Sequence, residues 1–187
     1  MRFHLGGSSR QSFVTARAQL DAALKGATAT SASELSAHLF FAAEVFATNS
    51  SLRRAFTDAS RDASAKKALV KDVFGSKVSS SASDLLAAVA GLRWSAASDL
   101  VLVIEQLAIE AEASSANLDG ALDRLEAEFF EVSRVIADNF ELRKALVGNG
   151  SVDAKGALIA DVLAKSASAS TVKLAVALVT SLRGRSI

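Results

Sequence analysis

His4 and His38 are the only imidazoles in the chain, and Glu34-x-x-x-His38 is the nearest thing to a metal-ligand spacing. A helical zinc site needs a second His one turn away. None is present, so both histidines are expected to be ordinary surface or partly buried side chains. Gly6-Gly7-Ser8-Ser9 is glycine-rich and precedes a helical pattern. It lacks the Gly-Lys-Ser/Thr ending and the preceding strand of a phosphate-binding loop, and is expected to be a loose N-terminal segment. Carboxylates crowd between Glu105 and Glu131 without a His or glycine loop to set up acid–base work. The many serines stand at connectors and cap positions, with no base to activate them. Absence of Cys excludes disulfides, thiolate catalysis and Cys-based metal sites. No catalytic, cofactor-binding or metal-ligating set can be assembled, and a non-catalytic chain is expected.

What the sequence supplies in place of chemistry is apolar spacing. Half of its 187 residues are hydrophobic, enough to bury a core in one or two domains. The period is helical, with no sustained two-residue alternation, which predicts an all-α protein. A first helix is expected from about Ser9 to Leu24, with Phe13, Leu20 and Leu24 on one face. Thr28 to Ser33 reads as a connector, and Ser31 with Glu34 has the spacing of a capping box opening a second helix striped by Leu35, Leu39, Ala42 and Phe46. A short third helix covers Ser51 to Phe56, and a fourth covers Ala63 to Phe74, where Gly75 is free to turn left-handed and stop it. Serines 79, 80, 81 and 83 cap a fifth helix bearing Leu85, Val89 and Leu92. A sixth starts near Ser95 to Ser98 and carries Leu100, Val103, Ile104, Leu107 and Ala111.

From Leu118 onward, Leu118, Leu122, Leu125, Phe129, Val132 and Ile136 alternate by four and three, the seam of a long helix able to join two bundles. Gly148-Asn149-Gly150 is a turn, followed by a helix near Ser151 and a last one from about Ser168 to Leu182. This second half repeats the first at an offset of about 90 residues. Leu35, Leu39, Ala42 and Phe46 return as Leu125, Phe129, Val132 and Ile136. Leu52-Arg53-Arg54-Ala55-Phe56 returns as Leu142-Arg143-Lys144-Ala145-Leu146, the stretch Ala65 to Phe74 faces Ala154 to Leu163, and Leu92-Arg93 faces Leu182-Arg183. The duplication is of packing, not of reactive groups, and implies a scaffold. The expected architecture is two consecutive helical units, a six-helix bundle over residues 1–114 and a second unit over 115–187, joined by the long helix.

Charge nearly cancels, with 21 Lys and Arg against 20 Asp and Glu, so no nucleic-acid or membrane-surface field follows from the total. Locally, seven basic residues between Arg53 and Lys77 face three acidic ones, while Arg124 is the lone base between Glu105 and Glu131. Both runs fit solvated helix faces. The N-terminus lacks a signal-peptide core, and the longest apolar stretch, Leu100 to Ile109, falls well short of the ~20 residues of a spanning helix. A cytoplasmic chain without direct membrane insertion is expected. Complete absence of Pro, against about 5% in average usage, leaves an engineered origin open.

One ordered series of motifs goes further. Asn49-x-x-Leu52-Arg53, the run Ala65 to Val70, the run Val73 to Ser79, Leu85-Leu86 and Leu92-Arg93-Trp94-Ser95, with Asn139-x-x-Leu142-Arg143 in the second half, resemble the delta subunit of F-type ATP synthases. The mitochondrial counterpart is the oligomycin-sensitivity-conferring protein, and the doubled pattern looks like the long bacterial form. The resemblance implies a stator subunit that links the catalytic head to the peripheral stalk, on the cytoplasmic face of the membrane and without a cofactor. It also implies a groove between the first and fifth helices that takes the N-terminal helix of an alpha subunit. Phe13, Leu20 and Leu24 would line one side, and Leu85, Val89 and Leu92 the other, an apolar groove for an amphipathic helix. Where the family often has Pro, this chain has Ser50, Phe140 and Ala59. It also ends at Ile187, soon after the second Leu-Arg, where the family continues towards the stalk b subunit, so the alpha helix is expected to bind more firmly than the stalk.

Two other classes stand beside this one. The basic residues from Arg53 to Lys77 fit a helical nucleic-acid-binding bundle of the antitermination kind, against which stand the net charge and the scarcity of aromatic residues. The missing prolines fit a redesigned helical scaffold with no assembly role.

Overall fold

The computed structural model describes residues 5–181, and among them every regular element is an α-helix. The order is α1 (Gly7–Leu24), α2 (Ala29–Thr48), α3 (Ser50–Thr57), α4 (Ala63–Phe74), α5 (Ser80–Ala90), α6 (Ala97–Leu118), α7 (Leu122–Asp138), α8 (Phe140–Val147), α9 (Val152–Leu163) and α10 (Ala169–Thr180). The all-α class expected from the helical period is therefore observed. Two compact units divide the chain, Met1–Ser115 and Ala116–Ile187. His4 and the Leu182-Arg183 pair lie outside the described residues.

The first unit closes around the stripes read from the sequence. Leu20 of α1, Leu35, Leu39, Ala42 and Phe46 of α2, Val70 and Phe74 of α4, Leu85 and Val89 of α5, and Leu100, Ile104 and Leu107 of α6 are all buried in one core. Each such Leu, Ile or Phe contributes about 1.5–3 kcal/mol by leaving water. At its centre Phe46 packs on Phe56 with ring centroids 4.9 Å apart and on Phe74 at 5.3 Å. The second unit has its own smaller core, in which Val132 and Ile136 of α7, Leu142 and Leu146 of α8, Ile159 and Leu163 of α9, and Ala175 and Val179 of α10 are buried together. Gly156 on α9 lets α10 come close, since a Cβ there would meet Thr180 Cγ2 at 3.2 Å.

Four local expectations are corrected. Thr28, not Ser31, caps α2: its hydroxyl accepts from the Ser31 N–H at 3.2 Å while Ser31 Oγ accepts from the Thr28 N–H at 3.0 Å, so the box forms one turn earlier and Glu34 takes no part. Gly75 stays right-handed, with φ −54°, because α4 ends in a tight turn where the Phe74 carbonyl accepts from both Lys77 and Val78. The helix expected from Leu118 starts only at Leu122. Leu118 instead closes α6, 51% exposed, and Gly120 at φ 68° separates α6 from α7, so the apolar seam runs through Leu125, Val132 and Ile136 without it. The segment Gly6 to Ser9, expected to be loose, opens α1 and is fastened to the α5–α6 loop. Ser8 Oγ lies 2.7 Å from Ser95 Oγ, Ser9 Oγ accepts from the Ser95 N–H at 2.7 Å, and Ser12 Oγ donates to the Arg93 carbonyl at 2.5 Å.

Candidate functional site

The six apolar residues expected to line a groove fall on α1, on α5 and just beyond α5, and these two helices pack directly on each other. On α1 the inward stripe is Ser9, Ser12, Ala16 and Leu20, spaced by three and four so that all face the core. Serines at the first two places give the polar fastening to the α5–α6 loop, Ser9 to the Ser95 N–H and Ser12 to the Arg93 carbonyl. Leu20, Leu85 and Val89 are sealed, at 1%, 3% and 1% exposure, and serve the core itself. Phe13, Leu24 and Leu92 are half-buried at its margin. The six are therefore brought together, but as two layers: three that hold the bundle closed and three that reach its surface.

The surface layer is organised by charge. Arg17, one turn after Phe13, donates from Nε to Glu110 Oε2 on α6 at 2.9 Å and places its guanidinium 5.7 Å from the Phe13 ring centroid. Gln106 donates to the other Glu110 oxygen at 3.0 Å. Phe13 is thus pinned under a cation whose position α6 sets. Beside it Val14 stands 60% exposed, an apolar side chain with no place in the core. Phe13, Leu24 and Leu92 thus lie at the margin of the core, with Val14 outside it.

Sequence reasoning misses the devices that hold each unit's corners. Arg53 Nη1 donates to the carbonyls of Phe46 at 2.9 Å and Ala47 at 3.0 Å, satisfying the open end of α2 from the helix that follows. Arg143 Nη1 does the same to Ala137 at the end of α7. The signal is present in the sequence, since both arginines follow the Leu of an Asn-x-x-Leu spacing. The N-termini of α5 and α10 are held by side chains of α2 and α7. Ser79, the cap of α5, offers its N–H to His38 Nδ1 at 3.2 Å. Ser168, the cap of α10, offers its N–H and hydroxyl to Glu128 Oε2 at 2.8 and 2.6 Å, joined by Thr171 Oγ1 at 2.6 Å. Burial works against the charged form of Glu128, but these bonds and the Arg124 guanidinium outweigh it and hold its pKa down at about 2.

His38 Nδ1 is thereby a structural acceptor for the Ser79 N–H. Among the described residues no group of three or more His, Asp or Glu converges to hold a metal ion, and no helix is long and apolar enough to cross a membrane.

The chain is similar to curated proteins named ATP synthase subunit delta. The Streptomyces coelicolor protein is 38% identical over 97% of this chain and 66% of its own length. The Streptomyces griseus protein is 34% identical over 98% of the chain and 68% of its own, and that of a Nocardioides species is 42% identical over 73% of the chain and 50% of its own. No protein-family model matches. The chain spans less than two thirds of the length of the Streptomyces coelicolor and Streptomyces avermitilis relatives. Identity at this level across nearly all of its residues, on an all-helical body, means that the chain belongs to the ATP synthase subunit delta family.

Proposed function

We propose that this chain is a non-catalytic stator subunit of an F-type ATP synthase, linking the catalytic head to the peripheral stalk while rotation drives ATP synthesis. The observation that carries the reading is the 34–38% identity over nearly all of the chain to proteins named ATP synthase subunit delta. In this reading α1 to α6 form a six-helix bundle, and α7 to α10 are a second copy of α2 to α5. Helix lengths, arginine-closed corners and serine caps in the same order support the duplication. The complex sits at the cytoplasmic face of the cell membrane, where this chain is peripheral.

The first unit receives the N-terminal helix of an alpha subunit along the margin between α1 and the end of α5. Leu20, Leu85 and Val89 shape that margin from within, and Phe13, Val14, Leu24 and Leu92 make contact. The stalk b subunit is the second partner. Nucleic acid is not, because charge nearly cancels over the chain and two of the seven cations of the basic run are withdrawn, Arg53 to the carbonyls of α2 and Lys66 by burial.

Calorimetry with synthetic alpha-subunit and b-subunit helices tests the reading. Saturable binding of the alpha helix, weakened at least tenfold by Val14→Glu with helicity unchanged, is expected. No alpha binding by the folded chain would overturn it.

A further inference from the structure

A pocket of about 500 Å³ opens in the first unit between the α3–α4 loop and the α5–α6 loop, lined by Arg61, Lys66, Arg93, Asp62, Trp94 and Ser8 among others. Its size falls in the range of about 300–1,000 Å³ usual for small-molecule sites. Three cations against one carboxylate leave the lining with a net charge of +2. Ala63, the first residue of α4, is also in the wall, which brings the positive end of a 12-residue helix to the same space.

Two side chains here are unexplained by the fold. Lys66 is only 4% exposed, yet among the described residues its ammonium forms no hydrogen bond or salt bridge. Burial pushes its pKa down; Asp58 opposes that and Arg93 adds to it. Asp58 and Asp62 are themselves engaged, the first by the N–H and hydroxyl of Ser60, the second by Ser64 and the Ala65 N–H. Trp94 Nε1 is a buried donor without a partner. A lysine enclosed in the pocket wall, with no hydrogen-bonding partner for its ammonium, is a cost that an anion would relieve.

We propose that this pocket binds a doubly charged phosphoryl group on a small molecule, gripped by Lys66, Arg61 and Arg93. A phosphoryl dianion offers three acceptor oxygens to several donors at once, against the two of a carboxylate, and carries the higher charge. Guanidinium groups on the two loops suit its oxygens in pairs, and Lys66 supplies the point charge from within. The pocket shares Leu92 with the α1–α5 margin, but its test reads phosphate binding and not helix binding, so its failure leaves the stator reading untouched.

Trp94 is the chain's one tryptophan and reports on the pocket directly. The intact chain is titrated at about pH 8, where the phosphoryl group is a dianion, with inorganic phosphate, with adenosine monophosphate, and at matched ionic strength with acetate and with chloride. A saturable change in Trp94 emission with phosphate or the nucleotide, absent with acetate and chloride, is expected. Tighter binding of the nucleotide identifies a phosphate ester as the ligand, and equal binding identifies free phosphate; both support the site. An equal response to acetate, or no saturable response, overturns it. Lys66→Met is expected to weaken binding at least tenfold. Should that variant not fold, Arg61→Gln and Arg93→Gln, both at exposed loop positions, are each expected to weaken it at least threefold, and unchanged affinity in both overturns the proposal.

Discussion

Glu128 and Ser168, forty residues apart, meet through two hydrogen bonds to one carboxylate oxygen, at 2.8 Å from the serine N–H and 2.6 Å from its hydroxyl. The serine in turn caps α10, accepting the Thr171 N–H. His38 and Ser79 hold α5 by the same arrangement with an imidazole nitrogen in place of the carboxylate oxygen. In both places a side chain from an earlier helix, α2 or α7, holds the residue at which α5 or α10 begins.

Glu128 makes the second unit sensitive to acid. Its pKa is held at about 2, below the ordinary 4.5, so its contribution to stability is complete above about pH 5 and is lost as pH falls towards 2. The side chain is 14% exposed, and the linkage amounts to about 3 kcal/mol at most. Denaturant midpoints at neutral and acid pH should therefore fall more in the native chain than in Glu128→Gln, which should start about 1–3 kcal/mol lower at neutral pH. Parallel pH profiles for the two proteins would refute this.

Arg53 and Arg143 should each be worth more than a surface charge. Arg53→Ala leaves the carbonyls of Phe46 and Ala47 without their donor and is expected to cost about 1–3 kcal/mol in urea unfolding. Lysine should recover only part, since it replaces a planar fork by one ammonium on a flexible stem. Arg143→Ala should behave alike in the second unit.

The aromatic trio of the first unit should tolerate shrinkage badly. Phe56 is fully buried between Phe46 and its neighbours, and Phe56→Ala should cost about 3–5 kcal/mol. Phe56→Leu, the residue type that stands at Leu146 in the second unit, should cost about 1–1.5 kcal/mol. Calorimetric unfolding of the two variants would show whether the ordering holds.

Gly120 is the position where backbone conformation alone is decisive. At φ 68° with open space around it, a side chain meets no neighbour, only its own backbone. Gly120→Ala should lower stability by about 1 kcal/mol and Gly120→Asn by less, because asparagine tolerates the left-handed region. A rise in melting temperature for the alanine variant would contradict the assignment.

Helix order was legible because the cores are striped at helical spacing: Leu35, Leu39, Ala42 and Phe46 are buried as their period requires, and so are Leu125, Val132 and Ile136. Caps were less so. Thr28 and Ser31 both carry hydroxyls, and which one ends as the cap depends on where α2 docks, with Ser115 Oγ donating to the Ala29 carbonyl at 2.7 Å. The long seam failed at Gly120 because a period of three and four continues across a single glycine without any change of pattern. Five of the six groove residues fall on α1 and α5 and Leu92 falls two residues beyond the end of α5, but spacing cannot separate a side chain that seals a core from one at its rim. Only burial sorts Leu20, Leu85 and Val89 from Phe13, Leu24 and Leu92.

A single asparagine, Asn49 or Asn139, separates the helices at each arginine-closed corner, and the arginine reaches back six or seven positions to the carbonyls it holds. That reach works at one chain length only. Adding or deleting a residue at these bends would swing the guanidinium off its targets, whereas the stretches from Asp58 to Asp62 and from Gly148 to Ser151 carry no such tether. Length variation among natural variants should accordingly gather in the latter two stretches and spare the asparagine bends.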